Sequence, residues 1–146
     1  MPVGAAGAPR LVLDTNVLLD LWLFDEPSTR PLRAAIEAGA VRAVRSADCD
    51  AEFAGVIARA RFGLDEASRR SVLARWTRCS APIAAVAPAP LACADPDDQK
   101  FLDAAFSAGA DALLTRDKAL LKLARRAEAA GLRIRRPDAS MTYDRP

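Results

Sequence analysis

The 146-residue chain contains no histidine. That absence excludes serine and cysteine triads built on an imidazole base, and zinc sites ligated by histidine. Any hydrolytic chemistry must then use carboxylates, lysine or a metal held by oxygen ligands. Cysteine is scarce: Cys49, Cys79 and Cys93 match no zinc or redox spacing and read as reduced thiols of a cytoplasmic protein. Long hydrophobic runs are missing too. The apolar stretch after residue 10 is interrupted by Asp14, Asn16 and Asp20, and residues 1–9 carry no basic segment, so neither a signal peptide nor a membrane span is expected. Aromatic residues are only 5 % of the chain, and Trp22 and Trp76 lie on apolar faces, which assigns them to the core rather than to base stacking. The net charge of +2 is too small to mark a nucleic-acid binder by its size.

What is present points to one folded domain: 51 % hydrophobic and 27 % charged residues in a length that supports a substantial core. Residues 1–9 read as a flexible lead-in, 10–137 as the domain and 138–146 as a polar tail. Leu11-Val12-Leu13 has large aliphatics throughout, as suits a strand buried on both faces of a parallel sheet. Val17, Leu18, Leu21 and Trp22 then follow at helical spacing. Further helices are expected over residues 32–38, 47–60 and 65–79, with a strand at 40–45 between the first two. Residues 80–94, rich in Pro and Ala, read as an extended connection with a short strand at 83–86. Asp95-Pro96-Asp97-Asp98 is a helix start, with Asp95 as N-cap and Asp98 at the capping-box position. That helix stops at Gly109. A strand at 112–115, one helix to about Gly131 and a strand at 132–135 complete an α/β domain with a mostly parallel sheet.

In such a sheet, ligands bind at the carboxyl ends of the strands. Asp14 and Asp117 both follow strands, Asp98 heads the helix before the second of these strands, and Glu52 lies one turn into the helix after the strand at 40–45. Carboxylates gathered on one rim without basic partners call for a cation, and oxygen ligands suit Mg²⁺ or Mn²⁺. Such ions activate water and clamp a phosphodiester. Asp14, Asp98 and Asp117 each also have a local explanation as acids at a helix N-terminus.

The stretches 11–18, 46–53, 95–105 and 109–121, in this order, resemble the PIN-domain nuclease family, and in particular its VapC-like branch of toxins from toxin–antitoxin pairs. The resemblance implies a three-layer fold with about four to five strands, and metal-dependent cleavage of single-stranded RNA by water. By it, Asp14, Glu52, Asp98 and Asp117 are the catalytic and metal-binding acids, with Glu52 holding the ion or orienting the water. Asn16, Thr115 and Asp97 are supporting polar positions, Asp98 being a better match than Asp97 for the metal-binding acid. Arg116, Lys118 and Lys122 are the residues expected to touch nucleic acid. A small antitoxin protein is the implied partner, and apolar surface on the helices at 29–38 and 47–60 is expected to serve it or a homodimer. Asp50 stands where the family has an apolar residue, and the tail after Arg136 lacks its closing segment. Two other readings compete. Asp14 is the nucleophile of a haloacid-dehalogenase-type phosphohydrolase, although Asn16 stands where that family has a second Asp; or the domain is an inactive RNA- or protein-binding module.

Overall fold

Five strands build the sheet: β1 (Arg10–Leu13), β2 (Arg42–Arg45), β3 (Ser80–Pro82), β4 (Ala112–Leu114) and β5 (Arg133–Arg135). All pair in parallel, in the spatial order β3-β2-β1-β4-β5. The computed structural model describes residues 7–138; residues 1–6 and 139–146, most of the expected lead-in and tail, lie outside it. The α/β class and the parallel sheet of four to five strands are as the sequence implies.

The pleat sorts the core into two halves. Leu11 and Leu13 of β1, with Ala112 and Leu114 of β4, join one apolar cluster, while Val12 and Leu113 join the other. Strands buried on both faces produce this alternation within an all-apolar run. Helices α1 (Thr15–Trp22), α2 (Arg30–Glu37), α3 (Ala47–Ile57) and α4 (Glu66–Arg78) supply the first cluster, although Cys49 of α3 reaches the second. Helices α5 (Gln99–Ala108), α6 (Lys118–Leu121) and α7 (Ala124–Ala129) supply residues only to the second. The result is three layers. Trp22 and Trp76 are core residues, their rings 6.3 Å apart, and the guanidinium carbons of Arg33 and Arg75 lie 5.5 and 5.3 Å from the centre of the Trp22 ring.

Several expectations need correction. The helix expected to run to about Gly131 is two: Leu123 N–H bonds back to Leu120 O at 3.0 Å, a tightened turn that breaks the ladder after Leu121 while keeping Leu120, Leu123 and Ala127 buried. Helix α3 stops at Ile57 rather than at residue 60, because Arg59 is extended and a 3₁₀ turn, Ala60–Phe62, follows, closed by Gly63 at φ 60°. The strand expected at 83–86 lies earlier, at Ser80–Pro82. There the Ser80 hydroxyl accepts from Arg45 Nε at 2.8 Å and donates to Trp76 O at 2.6 Å, which fixes the chain against β2. The apolar surface expected on the helices at 29–38 and 47–60 is not exposed. Leu32, Ile36, Cys49, Phe53, Val56 and Ile57 all face inward, and among the described residues the exposed large hydrophobics are Phe24 and Val86.

Between β3 and α5 the chain forms a strap, residues 84–94, without regular structure. Its backbone is fastened by one stripe of α5: Ala87 N–H donates to Ser107 Oγ (2.9 Å), Ala89 N–H to Asp103 Oδ1 (2.8 Å) and Cys93 N–H to Gln99 Oε1 (2.7 Å). Residues four apart on a helix share a face, so Gln99, Asp103 and Ser107 form a row. This fastening sets where the chain turns into α5. No helix among the described residues is long and apolar enough to cross a membrane.

Candidate active site

The sheet order reverses direction between β1 and β4: successive connections run outward to β2 and β3 on one side, then to β4 and β5 on the other. At such a switch point the loops part and leave a crevice at the carboxyl ends of the strands. Leu13 pairs with Leu114 there, and Asp14 N–H extends the ladder by one bond to Leu114 O at 3.1 Å. Asp14 then caps α1, its Oδ1 accepting from Val17 N–H at 3.0 Å. Its Oδ2 accepts from the hydroxyl of Thr115, the first residue beyond β4. Asp14 is 3 % exposed, and that burial pushes its pKa up. The bonds from Thr115 and Val17 work against the rise; Asp117 adds to it, and Arg116 opposes it.

Thr115 does a second job. Its oxygen accepts the N–H of Asp117 at 2.9 Å, folding the chain so that Asp117 can cap α6 through a 2.8 Å bond from Ala119 N–H. Asp14 and Asp117 thus stand beside one hydroxyl at the ends of neighbouring strands.

Asp98 comes to them from the other layer. The capping box expected between Asp95 and Asp98 is not formed. Asp95 instead caps a 3₁₀ turn, Pro96–Asp98, by accepting from Asp97 N–H at 2.9 Å, and the Asp98 carboxylate makes no cap bond to α5. The turn uses up the helix start that a capping box needs. Asp98 Oδ2 is buried without a hydrogen-bond partner. Its pKa is pushed up to about 7, first by burial, then by the negative charge of Asp117, with Asp95 and Asp14 adding to it. The local explanation as a helix-end acid therefore holds in part for Asp14 and Asp117 and fails for Asp98. Asp97 is exposed.

Glu52 is placed differently. Its Oε2 accepts from the Thr15 hydroxyl, and its Oε1 lies 2.8 Å from Lys100 Nζ in the first turn of α5. It joins the three aspartates only through Thr15, the residue after Asp14. Asn16 is exposed and makes no hydrogen bond to these acids; the neighbouring Thr15, whose side chain turns inward, makes the bond to an acid that was expected of Asn16. Arg116, expected to reach nucleic acid, is paired with Asp20, a carboxylate on the inner side of α1 with 9 % side-chain exposure. Lys118 and Lys122 are exposed. Sequence reasoning missed Thr15, Lys100 and Asp20. Only Asp20 had a local signal, as an acid set among the buried positions of α1.

All donors here are oxygen, three carboxylates raise one another's proton affinity, and one buried oxygen lacks any partner; this chemistry fits a hard divalent cation. Among the described residues, no group of three or more such side chains is arranged to hold a metal ion as it stands. Like charges facing one another in partly dry surroundings are relieved by a proton or by a cation, and either draws the oxygens together.

Comparison with known protein families returns a match over residues 10–119 to the family described as PIN domain. A comparison with curated proteins finds no match.

Proposed function

Because the chain belongs to the PIN-domain family, whose members are generally nucleases, we propose that it is a Mg²⁺- or Mn²⁺-dependent endoribonuclease acting on single-stranded RNA. The observation that carries this reading is the buried, unpartnered Asp98 oxygen facing Asp117 and Asp14 at the switch point of the sheet. In this assignment Asp14, Asp98 and Asp117 hold the ion. A bound divalent ion supplies positive charge to the phosphodiester and makes water a better nucleophile. The protein's part is to keep the three aspartates ionised and aimed. Thr115 orients Asp14 and, through the Asp117 N–H, the loop that carries Asp117. The water oxygen attacks phosphorus, the bond to the 3′ oxygen breaks, and that oxygen leaves as a 3′-hydroxyl. Lys118 and Lys122, exposed beside Asp117, draw the strand's phosphates toward the acids.

The test is cleavage of labelled single-stranded RNA with Mg²⁺ or Mn²⁺, against single-stranded DNA, for the native chain and Asp14→Asn. Loss of metal-dependent RNA cleavage in the variant supports the assignment; equal activity in the two proteins overturns it. The further reading, a toxin held by an antitoxin, follows the sequence resemblance. It predicts that expression arrests growth, that Asp14→Asn does not, and that a small protein encoded next to this gene restores growth.

A further inference from the structure

We propose that Lys100 withholds Glu52 from the metal-holding acids and presents its own ammonium to the scissile phosphate, so that the centre takes one divalent ion. This deepens the nuclease reading and rests on it for the role of the phosphate. Both Glu52 oxygens are already engaged, Oε2 by the Thr15 hydroxyl and Oε1 by Lys100 Nζ at 2.8 Å. The pair is sheltered without being sealed, with side-chain exposures of 27 % for Glu52 and 23 % for Lys100, so the ammonium keeps an open side. It belongs to the site by position. Lys100 lies two residues after Asp98 on the same first turn, and Thr15 follows Asp14 directly, so the pair is tied to the aspartates from both layers.

Charge separates the two groups of acids. Glu52 is neutralised by Lys100 and Asp20 by Arg116, whereas Asp14, Asp98 and Asp117 have no cation paired with them. Three carboxylates suit one divalent ion; a second would need Glu52, and with it the loss of the Lys100 pair. Burial works to lower the Lys100 pKa, but the bond to Glu52 and the charges of Glu52, Cys49 and Asp97 outweigh it, so the ammonium stays charged at neutral pH. Nucleases with two ions use the second to clamp the phosphate from the other side. A lysine fixed by a glutamate offers the same positive charge as a point donor.

The measurement is Mn²⁺ binding by calorimetry and electron paramagnetic resonance, with RNA cleavage in parallel, on the full chain and on Lys100→Met, Lys100→Arg and Glu52→Gln. One ion is expected in the native chain. Lys100→Met should free Glu52 and raise the count to two, and should lower kcat by about 100-fold, the scale of losing one fixed transition-state donor. Lys100→Arg should keep one ion and recover most of the rate. Glu52→Gln should keep one ion at unchanged affinity. Two ions in the native chain, an unchanged count in Lys100→Met, or loss of the ion in Glu52→Gln each overturns the proposal. If the native chain binds its ion but cleaves no RNA, the nuclease reading falls. The ion count in Lys100→Met then still decides whether Lys100 withholds Glu52.

Discussion

Replacing Asp98 by Asn should stabilise the protein, and by an amount that grows with pH. In the folded chain the Asp98 carboxyl titrates near 7 against an ordinary 3.8. Between those values the folded state holds a proton that the unfolded chain has released. Stability therefore falls as pH rises through this window and levels off above about 7. The full difference is worth at most about 4 kcal/mol at 1.36 kcal/mol per tenfold change in proton affinity. Water reaches one side of the residue, so about 1–2 kcal/mol is the expected size. Asparagine keeps the shape, carries no charge, and gives Asp117 a donor. Followed by circular dichroism in chelator from about pH 4.5 to about pH 8.5, the melting temperature of Asp98→Asn should pull ahead of the native chain by about 3–8 °C at the alkaline end. Saturating Mn²⁺ should then close the gap, since an ion at 100 times its dissociation constant adds about 2.7 kcal/mol to the protein that binds it. A gap that is the same at every pH, or a variant less stable at alkaline pH, would refute the electrostatic account of the site.

Thr115→Val removes a hydroxyl that serves Asp14 and the Asp117 N–H at a fully buried position. Urea unfolding should show a loss of about 1–3 kcal/mol, and a loss under about 0.5 would mean that water replaces both bonds. Arg116→Met leaves Asp20 without its partner, so it should destabilise more as pH rises, by about 1–2 kcal/mol after allowing for the exposure of the arginine. Adding Asp20→Asn should restore much of that in a double-mutant cycle, and strict additivity would show that the pair does not interact. Burial lifts the Cys49 thiol to about 11, so a thiol reagent near pH 8 should label Cys79 and Cys93 in the folded protein and Cys49 only after unfolding. Three equal labelling rates would sink that reading.

The sheet was legible because its central strands are short runs of large aliphatics ending on polar residues, and nothing else accommodates Leu11-Val12-Leu13 so briefly before an acid. Asp14 and Asp117 were legible for the same reason, since each stands just past a buried strand. Asp98 was visible, but its environment was not: the local pattern reads as a capping box, and only the packing of α5 beside β1 and β4 turns it into an acid facing other acids. The Glu52 bonds to Thr15 and Lys100 span 37 and 48 residues, and no local periodicity carries information about such pairs. The break after Leu121 was hidden because Leu120, Leu121, Leu123 and Ala124 fit one helix and two short ones equally well.

The fastening of the strap by α5 has a consequence for how this segment can diverge. Gln99, Asp103 and Ser107 grip main-chain atoms, so they are blind to which side chains residues 84–94 carry. The amides of Ala87 and Ala89 point at the helix, and Pro88 and Pro90, which have none to offer, occupy the alternate places. Homologues are thus free to rewrite the lettering here, provided imino acids keep to the outward phase. A proline slipped by one place would unhook the segment and let the turn bearing Asp98 wander.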